Sequence, residues 1–353
     1  MNNLFLASFL FILGLFFWSF ASVIIYRLHS WESWIFFWRS HCPKCNHILG
    51  ALELIPVFSY LKNLWKCKYC KQKISITYPI LEFSFWLIFA LVWYFLINFN
   101  LILAWNFLEI FKLFFFLYIS FFSMILVFYD IFYLEISEKV LLLLIIPTFL
   151  VLLVQTFFPE IKILATLASS IYNWEILFLA SFISILGIIW LYIIMLKELE
   201  LIWDFFILWL IILSIFLLKN FFDIDLSLIP VLSWFIWALW IFIFFFLQIA
   251  ISKWRWMWGW DLRIAIFMGL ILWVSYSFIW TMISYVIWSI IWIFIIIYKK
   301  FEKKKLIEKI LNKEEKNIGN TEVPFWPFLI FWLFSVLFFS EKINEFINKF
   351  FYL

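Results

Sequence analysis

Long apolar runs alternate along the chain with short polar segments, and the length of those runs sets the first expectation. A bilayer-crossing helix needs about 20 predominantly apolar residues, fewer when polar groups anchor its ends. Runs that meet this requirement begin with Leu4 to Tyr26. They continue with Pro79 to Ile97, Leu101 to Tyr129, Val140 to Phe158, Ile176 to Leu196, Leu201 to Leu218 and Ile229 to Ile251. Three more run from Ile264 to Trp280, Met282 to Tyr298 and Pro324 to Phe339. The pattern predicts an all-α fold, a polytopic membrane helix bundle of about 8–10 spans. It also predicts a division into a first transmembrane helix (1–26), a polar loop domain (27–78), a membrane core (79–298), a charged linker (299–323) and a last helix with its tail (324–353).

Composition agrees with this picture and excludes a soluble domain. Of 353 residues, 68% are hydrophobic and 14% charged, against an apolar share of about 45–50% in soluble globular proteins. The formal net charge of +4 is small. The Lys and Arg gather between apolar runs, so they report orientation in the bilayer and not nucleic-acid binding. The opening MNNLFLASFLFILGLFF lacks a basic n-region and a small-residue cleavage site, which predicts a retained helix and not a cleaved signal peptide. If the Lys-rich insert from Arg27 to Thr77 is cytoplasmic, counting crossings returns the chain to that face at Asp130, at Lys253 to Arg263 and at KKFEKKKLIEKILNKEEK.

The insert contains Cys42, Cys45, Cys67 and Cys70 as two CxxC pairs, with 21 residues between Cys45 and Cys67. Each pair lets two thiolates of one turn share a metal, and two such turns complete a tetrahedral shell. The expectation is a four-cysteine zinc-binding loop in which Zn2+ is structural, because four protein ligands leave no open coordination position. Cysteines on a cytoplasmic face stay reduced, so a disulfide would require the inverted topology. His41 and His47 flank the first pair and are read as surface residues.

Two places carry membrane-edge carboxylates. In MILVFYDIFYLEISEKVL, Asp130 is followed by Glu135 and Glu138, and in SKWRWMWGWDLRIAIFMGLILW, Asp261 stands between a basic segment and an apolar run. Trp258, Gly259 and Trp260 precede Asp261, and Arg255 and Arg263 flank it. An acid at a helix end can merely cap it. The functional reading pairs Asp130 with Asp261: two carboxyls brought together cannot both ionise, so one holds a proton while the other activates water. Glu135, Glu138 and Asp204 are possible substitutes.

On these residues the chain resembles the type IV prepilin leader peptidases, membrane aspartyl proteases with a GxGD motif. The resemblance rests on GLFFWSFASVIIYR, WRSHCPKCNHIL, IPVFSYL, WKCKYCKQKISITYPILE, Asp130, WMWGWDLR and VPFWPFLIFW, in family order along nearly the whole chain. It implies catalysis by Asp130 and Asp261, with Gly259, Arg263, Trp258 and Trp260 flanking the motif, and removal of a short basic leader from prepilin or pseudopilin precursors. The expected location is the cytoplasmic face of the inner membrane, among membrane lipids. Some family members also methylate the new amino terminus with S-adenosylmethionine; no glycine-rich fingerprint here supports that independently. Ser137 and Glu138 stand where the family has Pro-Asp, Arg263 replaces a Lys, and two spans within 159–251 look inserted. Two other readings use the same residues: a thiol oxidoreductase built on the CxxC pairs, and a cation-coupled transporter built on the membrane acids.

The tryptophans fit the resemblance poorly as Trp and well as Gly. The chain has 6 Gly and 25 Trp, together 31 of 353 residues. Trp18, Trp38, Trp65, Trp258, Trp260, Trp273, Trp326 and Trp332 fall where the family has or tolerates glycine. Aromatic belts concentrate Trp at membrane interfaces, but a belt does not explain Trp inside GxGD. The pattern implies that many of these are UGA codons, glycine in the source and written here under a code that reads Trp.

Overall fold

In the computed structural model, the described residues are 20–21, 23–29, 42, 45, 47–50, 62–63, 66–74, 77–133, 135–164, 172–196, 201–222, 229–252, 266–271, 286–287, 290, 294, 297, 329–331, 333–339 and 342. Helices dominate them: α1 (Thr77–Leu96), α2 (Phe99–Leu103), α3 (Phe107–Tyr133), α4 (Glu138–Phe157), α5 (Trp174–Leu196), α6 (Leu201–Phe222) and α7 (Pro230–Ser252). The described residues form no strand; an antiparallel bridge pairs Lys66 with Lys73. By length and composition, Phe107–Tyr133, Glu138–Phe157, Trp174–Ile193 and Pro230–Gln248 can each cross a membrane, and shorter apolar helices cover Phe83–Leu96, Phe206–Phe222 and Leu329–Phe339. The all-α membrane bundle read from the apolar runs is therefore what the chain forms. Most of the expected first span, whose residues 20–21 and 23–26 are helical, and most of the expected spans Ile264 to Trp280 and Met282 to Tyr298 lie outside the described residues.

One expected span needs correction. The run from Leu101 to Tyr129 is apolar throughout its first five positions, yet the chain turns at residues 104–106 between α2 and α3. Polar capping makes the break. The Asn98 side chain accepts from the Asn100 backbone N–H to start α2, and Asn106 Oδ1 accepts from the Glu109 N–H at 3.1 Å to start α3. Glu109 Oε1 in turn accepts from the Asn98 N–H at 2.6 Å, tying the two helix starts together. These bonds satisfy helix-end donors that hydrocarbon could not. At the other end, α3 runs past Asp130 to Tyr133.

Two compact units divide the chain. The first comprises Met1–Val140, Pro324–Ile330 and Leu337–Leu353. In it α1 packs on α3, with Phe85 set against Phe121 at 5.7 Å and Phe128 at 6.3 Å between ring centroids. The second comprises Leu141–Val323 and Phe331–Val336. There α5 packs on α7 and α6, and a methyl added at Gly187 would overlap the ring of Phe235 on α7. The α7 backbone also comes close to helical residues 266–271, where a methyl at Gly269 would overlap the backbone of Ala238. Only glycine permits that approach.

Among the described residues two non-glycines hold positive φ, Lys71 at 58° and Trp105 at 55°. For a bulky side chain this region is strained by about 1–2 kcal/mol. Trp105 is 85% exposed and recovers little of that cost by packing. The eight tryptophans singled out above all lie outside the described residues, so Trp105 is an independent position at which glycine fits the backbone better than the residue written there. Trp105→Gly is expected to raise the thermal midpoint of the full chain, by an amount corresponding to roughly 1 kcal/mol after allowing for the backbone freedom of glycine. A lowered midpoint would mean that the indole packs in a way its exposure does not suggest.

Candidate functional site

The two CxxC segments fold as matching turns. In each, the backbone N–H of the first cysteine donates to the carbonyl five residues on: Cys42 to His47 at 2.9 Å, and Cys67 to Gln72 at 2.8 Å. In the second turn the N–H of Lys71 also donates to the Cys67 carbonyl at 3.0 Å, with Lys71 in the left-handed region. The rings of His47 and Tyr69 meet at 3.5 Å between centroids, joining one turn to the other, and the Lys68 ammonium lies over Tyr69 at 5.5 Å. The result brings all four cysteines together.

The ligand atoms of Cys42, Cys45, Cys67 and Cys70 all lie within 4.8 Å of one another, and the sulfurs of Cys42 and Cys70 are 4.0 Å apart. A tetrahedral Zn–S shell with bonds of about 2.3 Å has sulfurs about 3.8 Å apart, so the donor set fits the ion. All four are free thiols; Cys42 and Cys67 are buried and Cys45 is exposed. The Cys45 thiol is pushed up to about 11 from 9.0. The hydrogen bond from the His47 backbone lowers it, but this is outweighed by desolvation, hydrogen bonds with the Cys42 and Cys70 thiols, and the charge on Cys42. Crowded thiols resist becoming thiolates until a cation is present to hold them.

Asp130 lies near the end of α3 and is buried at 5% exposure. Ser120, Ser123 and Asp130 recur at helical spacing along α3, a stripe of polar residues in the mostly apolar stretch that follows Glu109 and Lys112. Helical residues 23–29 reach this end of α3 through His29, whose ring stacks on Tyr133 at 3.7 Å and meets Tyr129 edge-on at 6.4 Å. That contact brings the segment holding the buried Arg27 beside the turn holding Asp130. Sequence reasoning did not single out His29, because nothing in its surroundings marks a partner about a hundred residues away.

The substitutes for the dyad have distinct surroundings. Glu135 is exposed in the α3–α4 connection, and Glu138 opens α4, where a carboxylate suits the helix N-terminus. Asp204 lies on α6, with its side chain outside the described set. Asp261, Trp258, Gly259, Trp260, Arg263 and His41 also lie outside the described residues.

Residues 12–96 match the family described as Bacterial Peptidase A24 N-terminal domain. Proteins named prepilin leader peptidase/N-methyltransferase are similar to part of the chain. The Myxococcus xanthus protein is 42% identical over 83 residues, 24% of this chain and 24% of that protein. The Vibrio cholerae protein is 39% identical over 83 residues, 21% of this chain and 33% of its own length. The Neisseria gonorrhoeae protein is 34% identical over 104 residues, 23% of this chain and 36% of its own length. The chain thus spans about a quarter to a third of the length of the curated relatives it matches. The matched family segment includes the cysteine turns, while Asp130 and Asp261 lie beyond it. No solved structure gives a significant match.

Metal analysis of the purified chain is expected to give one zinc per molecule, with a large loss when Cys42 and Cys45 are both replaced by Ser. Binding deprotonates thiols, so the sign with pH is fixed: affinity rises as pH rises and zinc is released on acidification. An undiminished zinc content in the double variant would place the metal elsewhere.

Proposed function

We propose that the chain is a membrane aspartyl endopeptidase that removes the short basic leader from type IV prepilin-like precursors. The observation that carries this reading is the match of residues 12–96 to the peptidase A24 N-terminal domain, with the four thiols converging inside it. The cysteines would hold Zn2+, which cross-links the two turns when bound and has a structural role only. The relatives' names include N-methyltransferase, which supports a second activity; the resemblance implies methylation of the new amino terminus with S-adenosylmethionine as donor.

Hydrolysis then falls to Asp130 and Asp261. One carboxylate takes a proton from water as the water oxygen attacks the scissile carbonyl, and the other carboxyl donates a proton to the leaving nitrogen as the C–N bond breaks. Such a dyad titrates as a pair, so acid and base are roles of the pair rather than of either residue. The burial of Asp130 supports this reading, since removal from water favours a shared proton over two charges. Four helices of at least 20 residues each, α4 to α7, lie between Asp130 and Lys253. If each crosses the bilayer, the even number returns the chain to the same face, the cytoplasmic face of the inner membrane in this proposal.

Co-expression with a prepilin-like precursor, scored for leader removal, tests the proposal. Asp130→Asn and Asp261→Asn are each expected to lower processing at least ~100-fold, the lower end of what general acid–base groups contribute, with membrane insertion and zinc content unchanged. Processing retained in either variant would remove the dyad. A wild-type chain that holds zinc but leaves the precursor intact would refute the peptidase reading itself.

A further inference from the structure

The turn around Cys67 presents a strongly charged edge that neither zinc binding nor peptide hydrolysis uses. Lys62, Lys66, Lys68, Lys71 and Lys73 are all exposed, five cations within 12 residues, and no acid occurs between positions 62 and 74. Lys66 and Lys73 face each other across the antiparallel bridge. Directly opposed residues of such a pair project to the same side with Cβ atoms about 4.5–5.5 Å apart, and like charges placed there repel. Among the described residues no carboxylate pairs with either ammonium. An edge that gathers cations this tightly is stabilised by an anionic surface laid against it.

The chain itself limits what that surface is. Only three residues, four Cα-to-Cα steps, separate Lys73 from Thr77, where α1 begins. At about 3.5 Å per residue the tether is at most ~14 Å long, comparable with a Debye length of about 8 Å at physiological salt. The bridge is therefore held near the headgroups wherever α1 enters the bilayer. Tyr69, 45% exposed between Lys68 and Cys70, adds an amphipathic ring of the kind that settles at such interfaces.

We propose that the Lys66–Lys73 edge of the cysteine loop docks on anionic phospholipid headgroups, holding the loop down on the membrane surface. Each lysine near an anionic leaflet is expected to favour the docked state about fivefold. This binding is separate from the peptidase reading and would hold whatever reaction the chain performs.

The test is lysine acetylation of the zinc-loaded full chain, followed by mass spectrometry, in vesicles of phosphatidylcholine alone or mixed with phosphatidylglycerol. Lys66 and Lys73 are expected to label about fivefold or more slowly in the anionic vesicles, and high salt is expected to remove the difference. Equal labelling in the two vesicles would overturn the proposal, as would slow labelling in both that ignores salt. Lys71 serves as reporter in the variant carrying Lys66→Gln and Lys73→Gln: its lipid-dependent protection should fall, and protection that survives would overturn the assignment to this edge. Protection by soluble polyglutamate in neutral vesicles, with none from phosphatidylglycerol, would assign the edge to an acidic protein instead and overturn the lipid reading.

Discussion

Hydrocarbon offers no hydrogen bonds, and that constraint decides which parts of this chain can lie where. Inside a bilayer each unsatisfied backbone group costs several kcal/mol, so long apolar segments become helices whatever their individual propensities. Phe and Ile, middling helix formers in water, are abundant in α3, α6 and α7 for this reason. Several polar side chains within helices turn back on their own backbone: Thr148 donates to Leu144, Thr156 to Leu152 and Ser184 to Ala180. Thr148 follows Pro147, at the place in α4 where the ladder loses a donor.

The same constraint shapes the exits from helices. After α4 the chain folds back so that the buried Gln155 side chain meets both backbone groups of Leu164, donating to its carbonyl at 3.0 Å and accepting from its N–H at 3.1 Å. One amide thus satisfies a residue that lies outside any helix. The buried Thr156 hydroxyl accepts from the Val231 N–H at 3.0 Å and serves the free donors at the start of α7. Truncating such a partner leaves buried groups unpaired at about 1–3 kcal/mol each, so these polar residues are structural although they lie in a membrane protein's interior.

Hydropathy made much of this legible, and its failures are local. The runs from Val140, Ile176 and Ile229 end within about two residues of α4, α5 and α7, the usual uncertainty of helix ends. The run from Leu101 failed because Leu, Ile, Ala and Trp look alike to hydropathy whether they continue a helix or turn, and the break is written in Asn98, Asn106 and Glu109. The thiol cluster was legible because CxxC spacing is a local geometric requirement. The stack of His29 on Tyr133 and the pairing of Lys66 with Lys73 were not, since each depends on how distant or reversing backbone is brought together.

The two left-handed residues show how composition and backbone geometry inform each other. With only 6 glycines in the chain, positive φ falls on Lys71 and Trp105 among the described residues. For Lys71 the strain has a local compensation. Its N–H closes the turn on the Cys67 carbonyl, a turn whose thiol belongs to the metal-binding cluster, and an unbranched side chain bears this conformation better than a branched or bulky one. The Trp105 N–H likewise closes its turn, on the Ile102 carbonyl at 3.0 Å, but its exposed indole belongs to no such cluster. A glycine codon read as Trp would account for Trp105 and not for Lys71. With the same φ and the same turn-closing bond at both, it is the setting that separates a strained residue beside the thiol cluster from an exposed one where glycine would fit better.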